Sequence, residues 1–565
     1  MCGIFGYVGT KEAIPIVLGA LYRLEYRGYD SAGIATVGNR LEVHKVAGKV
    51  YDLDKYIINS ALNKTGIGHT RWATHGEPSK LNAHPLTDCY RNVAVVHNGV
   101  IDNYVELRAE LKDKHAFQSQ TDSEVIAHFL EGYTLPLIDR VLQMVPKLQG
   151  SFALAIIDKN EPDKIIAVRQ GSPLTIGFKP NEMFVSSDIA ALGKHTSSIF
   201  NMQDGEIAII TKQGVKLLNF AGEELRFKTI SSNVKEEDYS KGSYEHFMLK
   251  EIHEQPEAIE RLLQTRPTHV TYGNGSYRLV GCGSAYYAGL YGAYMYGPRA
   301  AAVPASEFSY DENGDVDYTF LSQSGETYDT IDAIKKVSFP FSSSVAIVNN
   351  ENSTLSKLTT PIYLKSGPEQ SVASTKVFTS MVTALAMLGR EVNFDTLMKL
   401  PDAIREALKT EAQIKDIAGQ FIQYKNCFFI GRESGYAIAL EGAQKLKEIS
   451  YIHAEAYPSG ELKHGPLALI TPQFPTIAIV PNDHNITKNK TAIEEIRTRG
   501  GKVIAITNCD IDLKADTTVM VPSICNELDA LLCLIPLQLF AYHCALFLNR
   551  DIDKPKHLAK SVTVA

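Results

Sequence analysis

The chain of 565 residues is long enough for about three or four domains of ordinary size, and its 44% hydrophobic and 21% charged residues are typical of a soluble globular protein. The formal net charge of −7 argues against binding to nucleic acid or to an anionic membrane. The eight cysteines form no C-x-x-C pair and no Cys/His spacing typical of zinc, and no apolar run approaches about 18 residues, so we expect a cytoplasmic protein without a metal or a membrane span.

Cys2 directly follows Met1, in the segment Met1-Cys2-Gly3. Removal of Met1 would leave Cys2 with both a thiol and a free α-amine. The pKa of a free thiol is about 8.5 and that of an α-amine about 8, so at neutral pH the amine can accept the thiol proton. The position therefore predicts a nucleophile that carries its own base. The alternative is a buried cysteine that happens to follow Met1.

Four further residues downstream suit an enzyme that hydrolyses the side-chain amide of free glutamine. The planar guanidinium of Arg71 can bind the α-carboxylate, and Asp122 can bind the α-ammonium group. The Asn98 side chain and the Gly99 backbone amide suit an oxyanion hole. The ordinary alternatives are a surface ion pair for the arginine, a helix N-cap for the aspartate and a hairpin turn for the Asn-Gly pair. Their order after the N-terminal cysteine favours the functional interpretation.

Up to about residue 230 the sequence alternates β-rich runs with turn signals and shows helical periodicity twice. The predicted strands include Asn92–His97, which ends at Asn98-Gly99, Phe152–Ile157 and Glu206–Ile210. The predicted helices are Ile14–Glu25 and Asp122–Glu131. These elements predict an α+β fold of two stacked sheets flanked by helices.

The segment from Cys2 to about Ile230 resembles the glutamine amidotransferase domain with an amino-terminal cysteine, which also occurs in amidophosphoribosyltransferase, glutamate synthase and asparagine synthetase. Cys2, Arg71, Asn98-Gly99 and Asp122 carry this resemblance, and the stretches Leu24–Gly33 and His69–Gly76 look most like the glucosamine-6-phosphate synthase branch. It implies a domain over 2–230 with the fold of the amino-terminal-nucleophile hydrolases. It also implies that Cys2, Asn98 and Gly99 are catalytic and that glutamine is bound by Arg71, Trp72, Thr74, His75 and Asp122.

After a polar, charged stretch at 231–243, which we interpret as a linker, a helix is predicted over Glu245–Leu263. From Arg278 onward, apolar strands end in Gly/Ser turns that lead into helical patterns, the order typical of βαβ units. The pattern occurs twice, and its copies lie about 150–158 residues apart. Two doubly wound α/β subdomains over 244–392 and 393–548 are therefore predicted, followed by a tail over 549–565.

The loop Leu321–Thr327 combines hydroxyl side chains with the start of a predicted helix. Backbone amides at a helix N-terminus attract phosphate, and ligands of open α/β sheets bind at the carboxyl ends of the strands. We therefore expect a phosphate site here, although an ordinary capped helix is the alternative. Gly283-Ser284 and Val372–Thr375 are similar features that could close round the same ligand.

These features resemble the sugar-isomerase domain, and the segments Glu441–Ser450, Gly460–Pro466 and Leu558–Val564 extend the likeness to the whole chain. The whole chain resembles the glutamine–fructose-6-phosphate aminotransferase (isomerizing) family, also called glucosamine-6-phosphate synthases. The resemblance implies that L-glutamine and fructose 6-phosphate are converted to glucosamine 6-phosphate and glutamate, without a cofactor. The sugar phosphate would be bound by Ser284, Ser322, Gln323, Ser324, Thr327, Val372, Ser374, Lys445 and Ala559.

The same resemblance implies three catalytic residues in the second half. Lys560 would form a Schiff base with the sugar carbonyl, Glu448 would move the proton between C1 and C2, and His464 would open the sugar ring. The sequence alone leaves plainer interpretations open. Lys445 and Glu448, three residues apart, could be a surface helix pair, and a lysine in a tail is usually solvated.

The family resemblance further implies that ammonia passes internally between two sites and that Trp72, the single tryptophan of the chain, is the gate. A homodimer is expected, because the histidine loop of this family can enter a neighbouring subunit's site. Two other functions stay open from the sequence. One is a glutaminase-linked isomerase or deglycase acting on another sugar phosphate, and the other is a non-catalytic phosphosugar-binding regulator.

Overall fold

The structure is a computed structural model that describes residues 2–57, 61–73, 75–132, 134–232, 239–265, 275–310, 316–337, 344–351, 353–389 and 392–562. The chain folds into two compact units. The first comprises the residues up to Ser240 together with a tail segment that begins at Ala559. The second comprises Lys241–Leu558.

Two antiparallel sheets and five helices make up the first unit, among its described residues. Its strands are β1 Gly3–Val8, β2 Ser31–Val37, β3 Leu41–Ala47, β4 Thr65–Arg71, β5 Leu86–Thr87, β6 Val93–Ile101, β7 Gly150–Asp158, β8 Lys164–Gln170, β9 Thr175–Lys179, β10 Glu182–Ser186, β11 Ser198–Asn201, β12 Glu206–Thr211, β13 Gly214–Asn219, β14 Glu224–Leu225 and β15 Ile230–Ser231. Its helices are α1 Ala13–Leu24, α2 Val50–Tyr56, α3 Tyr104–Leu111, α4 Glu124–Phe129 and α5 Leu137–Met144. The sheets have the strand orders β15-β11-β9-β10-β1-β4-β2-β3 and β14-β13-β12-β8-β7-β6-β5.

The two sheets stack because the side chains of their strands alternate between two apolar environments. In β1, Ile4 and Val8 lie in the core that both sheets share, whereas Phe5 and Tyr7 pack with residues of α1 and α2 on the other face. β6 alternates in the same way between the shared core and a cluster with α3–α5. The result is the predicted α+β arrangement of stacked sheets with helices outside.

The Asn98-Gly99 pair was expected to end a strand in a turn, and this is wrong. Strand β6 continues through both residues to Ile101, and Gly99 lies opposite Phe152 in the β6–β7 ladder. The Asn-Gly signal reports a positive φ at the glycine, and here that φ of 122° occurs inside a strand. Asp122 is also no N-cap, because α4 begins two residues later.

The second unit contains two five-stranded parallel sheets with helices. Its strands are β16 Ser276–Gly281, β17 Ala300–Pro304, β18 Val316–Ser322, β19 Ser344–Val348, β20 Thr360–Tyr363, β21 Asn426–Gly431, β22 His453–Pro458, β23 Thr476–Val480, β24 Val503–Thr507 and β25 Thr517–Met520. Its helices are α6 Phe247–His253, α7 Gln255–Thr265, α8 Ser284–Tyr296, α9 Tyr328–Lys336, α10 Thr354–Leu358, α11 Lys376–Gly389, α12 Phe394–Leu397, α13 Leu400–Leu408, α14 Glu411–Phe421, α15 Ser434–Ser450, α16 Ile486–Thr498, α17 Asn526–Leu532 and α18 Leu534–Phe547.

The two sheets of the second unit share one topology, so the internal duplication predicted from the sequence is confirmed. Their strand orders are β17-β16-β18-β19-β20 and β22-β21-β23-β24-β25. Both copies begin with a strand and a helix whose preceding residue has a positive φ, 53° at Gly283 and 49° at Glu433. One apolar core joins the inner faces of both copies.

Two expectations from the sequence differ from the structure of this unit. The helix predicted over Glu245–Leu263 is two helices, α6 and α7, which meet just before Pro256, the second residue of α7. The segment Asn526–Phe547, which spans α17 and α18, is long and apolar enough to cross a membrane by length and composition. Because 89% of its apolar window is buried inside the protein, it is a core helix pair. Residues 233–238 of the linker predicted at 231–243 lie outside the described residues.

Candidate active sites

The register of β1 and β4 places Cys2 next to Arg71 and Trp72. Gly3 pairs with Thr70 in this antiparallel ladder, so the residue before Gly3 meets the end of β4. The Trp72 backbone N–H points at the Cys2 Sγ, 3.3 Å away. Burial raises the pKa of the Cys2 thiol, while Arg71 lowers it and Asp122 raises it. The predicted nucleophile and the two predicted substrate-binding charges therefore lie within electrostatic reach of one another.

Asn98 is held in one orientation by contacts on both ends of its amide. Its Nδ2 donates to the Cys2 carbonyl oxygen at 2.9 Å, and its Oδ1 lies 3.0 Å from His69 Nε2. The same His69 nitrogen is 2.9 Å from the His97 carbonyl oxygen. Burial lowers the pKa of His69 to about 3, so this ring is neutral. Because both neighbours of Nε2 are acceptors, this nitrogen carries the proton.

Gly99 lies where no side chain fits. A Cβ at this position would be 1.8 Å from the Ser151 carbonyl oxygen, and its φ of 122° strains any L-residue. The glycine thus permits β6 and β7 to pair closely beside the N-terminal cysteine. Its backbone amide follows Asn98 directly, as the predicted oxyanion hole requires.

Arg71 is not the surface ion pair that its sequence context allowed. It is 3% exposed, and its guanidinium donates to backbone carbonyls of the following loop, at His75, at Gly76 (3.2 Å) and at Glu77 (3.5 Å). Burial lowers the pKa of Arg71, and the nearby Cys2 and Asp122 oppose that shift. The loop therefore fixes the guanidinium beside the thiol.

Asp122 is 4% exposed and belongs to the same neighbourhood. Its Oδ2 accepts a hydrogen bond of 2.9 Å from the Ile101 backbone amide at the end of β6, and its Oδ1 accepts one of 3.2 Å from Ser123. His97 Nδ1 lies 4.0 Å from the carboxylate, but burial lowers the pKa of this imidazole. A neutral histidine leaves the charge of Asp122 for a cationic group of a ligand.

The segment after β4 carries the remaining predicted glutamine-binding residues. The Trp72 ring meets Tyr29 edge-on, with ring centroids 6.0 Å apart, and the Ala73 amide donates to Asp30 at 2.9 Å. The His75 ring packs against Tyr104 at 5.4 Å. Thr74 lies outside the described residues.

A buried ionic cluster occupies one face of α15 in the second unit. Lys445 is 1% exposed and contacts Glu441, one turn earlier at 3.4 Å, and Glu448, one turn later. Its Nζ also donates to Ser284 Oγ at 3.2 Å, and Ser284 donates to Glu441 at 3.1 Å. Lys445 is therefore no surface residue. Ser284, the first residue of α8, brings the N-terminus of that helix to the cluster.

Two carboxylates share this single buried lysine. Burial is the largest cause that raises the pKa of Glu441 to about 7; Lys445 opposes it and Glu448 adds to it. Burial alone would lower the pKa of Lys445, but the carboxylates of Glu441 and Glu448 raise it above its usual range. The lysine is thus a permanent cation, suited to hold an anionic or hydroxyl-rich ligand.

The loop between β18 and α9 has the strand–loop–helix form that its sequence predicted. Ser322 Oγ accepts from the Gly325 amide at 2.9 Å and lies 2.9 Å from Thr327 Oγ1, while Ser324 Oγ accepts from the Glu326 amide at 3.1 Å. The carbonyl of Gln323 accepts from the Asn349 amide at 3.2 Å, which ties the loop to the end of β19. These bonds shape the loop at the carboxyl end of the sheet.

Val372 and Ser374 lie in the segment that leads into α11. The Val372 amide donates to the Asp553 carbonyl at 3.2 Å, and Ser374 Oγ donates to Glu369 at 3.1 Å. Glu369 also accepts from the amides of the first turn of α11. Its charge contributes to the raised pKa of Lys445, so this segment belongs to the surroundings of the ionic cluster.

The remaining residues predicted for the sugar site are His464, Ala559 and Lys560. His464 ends a short 3₁₀ turn, Glu461–His464, and is exposed to solvent, and its side chain forms no hydrogen bond or ion pair within the described part of the chain. Ala559 and Lys560 belong to the tail segment that groups with the first unit.

Sequence reasoning missed two residues that the structure places at these sites. One is His69, which orients Asn98. It belongs to the segment His69–Gly76, but no role was predicted for it. Glu441 belongs to the ionic cluster. Its position four residues before Lys445 and seven before Glu448 puts all three on one helix face, and this spacing could have identified it.

Comparison with known families agrees with both halves of this description. Residues 69–194 match the family model of the glutamine amidotransferase domain, and residues 275–389 and 420–548 match that of the SIS (sugar isomerase) domain. The fold and the two sets of residues define a glutamine amidotransferase domain joined to a pair of sugar-isomerase domains.

Relatives that align with the full length of the chain identify its family. The chain is 43% identical over 592 residues to the glutamine–fructose-6-phosphate aminotransferase (isomerizing) of Aquifex aeolicus and 42% identical over 609 residues to that of Symbiobacterium thermophilum, with 100% of both chains covered in each case. A solved C-terminal domain of glucosamine-fructose-6-phosphate aminotransferase from Francisella tularensis matches 56% of this chain and 99% of its own at 33% identity and a TM-score of 0.51. This chain belongs to the glutamine–fructose-6-phosphate aminotransferase (isomerizing) family of enzymes.

Proposed function

We propose that the protein transfers the amide nitrogen of L-glutamine to D-fructose 6-phosphate and isomerises the product to D-glucosamine 6-phosphate, with release of L-glutamate. Ammonia passes internally from the first unit to the sugar. This reaction is the first step of hexosamine biosynthesis and takes place in the cytoplasm. The similarity to relatives of that name along the full length of the chain carries the proposal.

In the first unit, the Cys2 thiolate attacks the glutamine amide after Met1 is removed and the new α-amine accepts the thiol proton. Asn98 Nδ2 and the Gly99 amide stabilise the oxyanion, and two such donors are each worth about 3 kcal/mol of transition-state stabilisation. Arg71 and Asp122 hold the α-carboxylate and the α-ammonium group. Thr74 and His75 complete the glutamine site. The proximity of the thiol to both charges supports these roles.

In the second half, the hydroxyls and amides of the Ser322–Thr327 loop, including Gln323 and Ser324, hold the phosphate. Ser284, Val372, Ser374, Lys445 and Ala559 surround the sugar. Lys560 forms the Schiff base, and Glu448 carries the proton between C1 and C2. The contact of Glu448 with the buried cation of Lys445 supports its position at the reacting carbons. His464 opens the sugar ring and acts from a neighbouring subunit of a homodimer, which agrees with its exposure in the single chain.

Trp72 is the gate between glutamine hydrolysis and amination. Its backbone N–H contacts the Cys2 sulfur and its ring packs against Tyr29, so one residue connects the thiol with a neighbouring aromatic side chain. Because it is the single tryptophan, addition of fructose 6-phosphate should change the intrinsic fluorescence of the protein. Unchanged emission, with sugar binding confirmed by calorimetry, would remove Trp72 from this role.

The decisive assay measures glucosamine 6-phosphate and glutamate formed from glutamine and fructose 6-phosphate. The wild type should form both products. Cys2→Ala should form neither, because the nucleophile is missing, and Lys560→Ala should release glutamate without amino sugar. Cys525→Ala, a half-buried cysteine of the second unit, serves as the matched control and should keep wild-type activity.

Each contrary result would exclude a different part of the proposed function. A wild type that leaves fructose 6-phosphate unaminated but turns over another sugar phosphate would point to the isomerase or deglycase alternative. Full activity of Cys2→Ala would exclude the N-terminal nucleophile. Amino sugar formed by Lys560→Ala at the wild-type rate would exclude the Schiff base at that lysine.

A further inference from the structure

Four potential metal ligands meet in the first unit, away from Cys2. Cys89 follows β5, His115 lies in the loop after α3, His128 is in α4, and Glu131 follows that helix. One ligand atom from each residue lies within 4.8 Å of all the others. The spacing of these residues along the chain is not typical of a zinc site, because the four residues come from three separate segments.

Three separations between the ligand atoms are close to the edges of a zinc tetrahedron. Bond lengths of about 2.3 Å to sulfur and about 2.1 Å to nitrogen or oxygen give edges of roughly 3.4–3.6 Å. Cys89 Sγ lies 3.7 Å from His128 Nδ1, and Glu131 Oε2 lies 3.3 Å from that nitrogen. The same oxygen is 3.0 Å from His115 Nδ1. The other separations between the ligand atoms are at most 4.8 Å.

Hydrogen bonding leaves one contact of this arrangement unfavourable, although the Cys89 thiol can donate to His128 Nδ1 and Glu131 Oε2 accepts from His115 Nδ1 and, at 3.1 Å, from the Cys89 amide. His128 is 2% exposed, and its Nε2 faces the Glu124 carboxylate at 3.6 Å, which favours the proton on that nitrogen. The Nδ1 lone pair then faces both Cys89 Sγ and Glu131 Oε2, which are acceptors or weak donors. A cation among these atoms removes the conflict. A carboxylate behind the far nitrogen of a histidine ligand is also the usual outer partner in zinc sites.

We propose that Cys89, His115, His128 and Glu131 bind one Zn²⁺ ion as a closed structural site. A thiolate, two imidazoles and a carboxylate are ligands that zinc accepts in tetrahedral geometry. The ion would join the loop after β5, the loop after α3 and helix α4.

The site would stabilise the segment that presents Asp122. Glu124, the outer partner of His128, accepts hydrogen bonds from the amides of Gln118 and Ser119, both at 2.7 Å, and from the Ser119 hydroxyl at 2.8 Å. Asp122 lies between Ser119 and Glu124 in the chain. A metal that fixes α4 therefore fixes the carboxylate assigned to the glutamine ammonium group, and this part of the inference depends on the proposed function.

The test uses the full chain, stripped with a chelator and titrated with Co²⁺ and then with Zn²⁺. We expect one ion per chain, a thiolate-to-cobalt charge-transfer band in the near ultraviolet, and the intense visible bands of tetrahedral Co²⁺, all removed by Zn²⁺. Cys89→Ala should lose the charge-transfer band. His115→Ala should weaken Co²⁺ binding at least tenfold. Zn²⁺ should raise the thermal midpoint of the wild type but not of Cys89→Ala.

The control Cys525→Ala should behave as the wild type, and Cys2 is present in all of these proteins, so the difference reports Cys89. The inference is overturned if wild type and Cys89→Ala give the same cobalt spectrum, or if the visible bands are the weak ones of an octahedral ion. Binding is measured without turnover. A protein that makes glucosamine 6-phosphate but binds no zinc would refute this site alone, and one that binds zinc but is inactive would refute the proposed function alone.

Discussion

The chemistry available to Asn98 depends on its neighbour His69. An amide side chain can present either its oxygen or its nitrogen, and an oxyanion hole needs the N–H end. The neutral His69 ring, with a pKa lowered to about 3 by burial, donates from Nε2 to Asn98 Oδ1 and so turns Nδ2 toward Cys2. His69 is thus a positioning residue.

Substitution of His69 tests this role. His69→Ala should lower the kcat of glutamine hydrolysis about 10-fold to 100-fold, because the Asn98 amide is free to turn, and should leave the KM for glutamine nearly unchanged. His69→Gln, which can donate to the same oxygen, should recover part of the loss. A rise in KM with constant kcat would contradict the role, and equal thermal midpoints would show that the fold is intact.

That Cys2, Arg71 and Asp122 lie together could be predicted from the sequence, but their surroundings could not. The order of Cys2, Arg71 and Asp122 along the chain indicated a shared site, and the structure places them within electrostatic reach. The fixed orientation of Arg71 depends on carbonyls of its own loop, and that of Asp122 on the Ile101 amide. Such contacts follow from strand register and loop path, which residue type does not encode.

At the scale of elements, the packing of helix α15 decides whether its charged residues are exposed or buried. Glu441, Lys445 and Glu448 look like an ordinary exposed charged face, but the helix packs against α8 with this face inward. Strand β6 differs from the sequence prediction in another way. Its Asn98-Gly99 pair is typical of a turn but lies within the strand. Periodicity predicted the types of these elements. Burial of a particular face is set by packing between elements, so it could not be predicted from one segment.

The burial of Lys445 has a measurable energetic consequence. Lys445→Ala should destabilise the protein by about 3–5 kcal/mol, because it leaves two carboxylates in a buried site without their cation. Lys447 stands two residues later on the same helix and is exposed, so Lys447→Ala should change the free energy of unfolding by no more than about 0.5 kcal/mol. Urea denaturation followed by circular dichroism measures both. Equal effects would show that the cluster is not buried in solution.

The same cluster predicts a pH dependence of stability. The pKa of Glu441 is raised from 4.5 to about 7 in the folded protein, so the folded state binds the proton more tightly than the unfolded state. This contribution to stability is complete below pH 4.5 and is lost as the pH rises to about 7. Relative to wild type, Glu441→Gln should gain up to about 1.4 kcal/mol per pH unit across this window.

Urea denaturation of both proteins at several pH values between 5 and 7 checks this prediction. Parallel stability curves would show that Glu441 ionises at its ordinary pKa in the folded state. The comparison of slopes does not depend on any constant loss caused by the substitution itself.

At the scale of the whole molecule, the exposed His464 and the buried Lys445–Glu448 pair predict how subunits cooperate. If His464 acts in the neighbouring subunit of a homodimer, His464→Ala and Lys560→Ala variants should each be inactive in amino-sugar synthesis. After mixing and subunit exchange, activity should return to about a quarter of the wild-type value, because half of the dimers are mixed and each has one complete site.

The matched control mixes Lys560→Ala with Glu448→Gln, two changes assigned to the same subunit's site. This mixture should stay inactive for the same geometric reason. No recovery with the first pair would place His464 in its own subunit's site, whereas recovery in the control would show that Lys560 and Glu448 do not belong to one subunit's site. Light scattering tests independently whether the protein is a dimer.

The central claim is that one protein makes ammonia at Cys2 and uses it on the sugar before it reaches the solvent. The most direct test supplies [¹⁵N-amide]glutamine and fructose 6-phosphate in a medium containing excess unlabelled ammonium, and measures the isotope in glucosamine 6-phosphate by mass spectrometry. We predict that the amino sugar retains nearly all of the ¹⁵N. Dilution of the label to the level of the surrounding ammonium, or glutamate release without any amino sugar, would contradict the account.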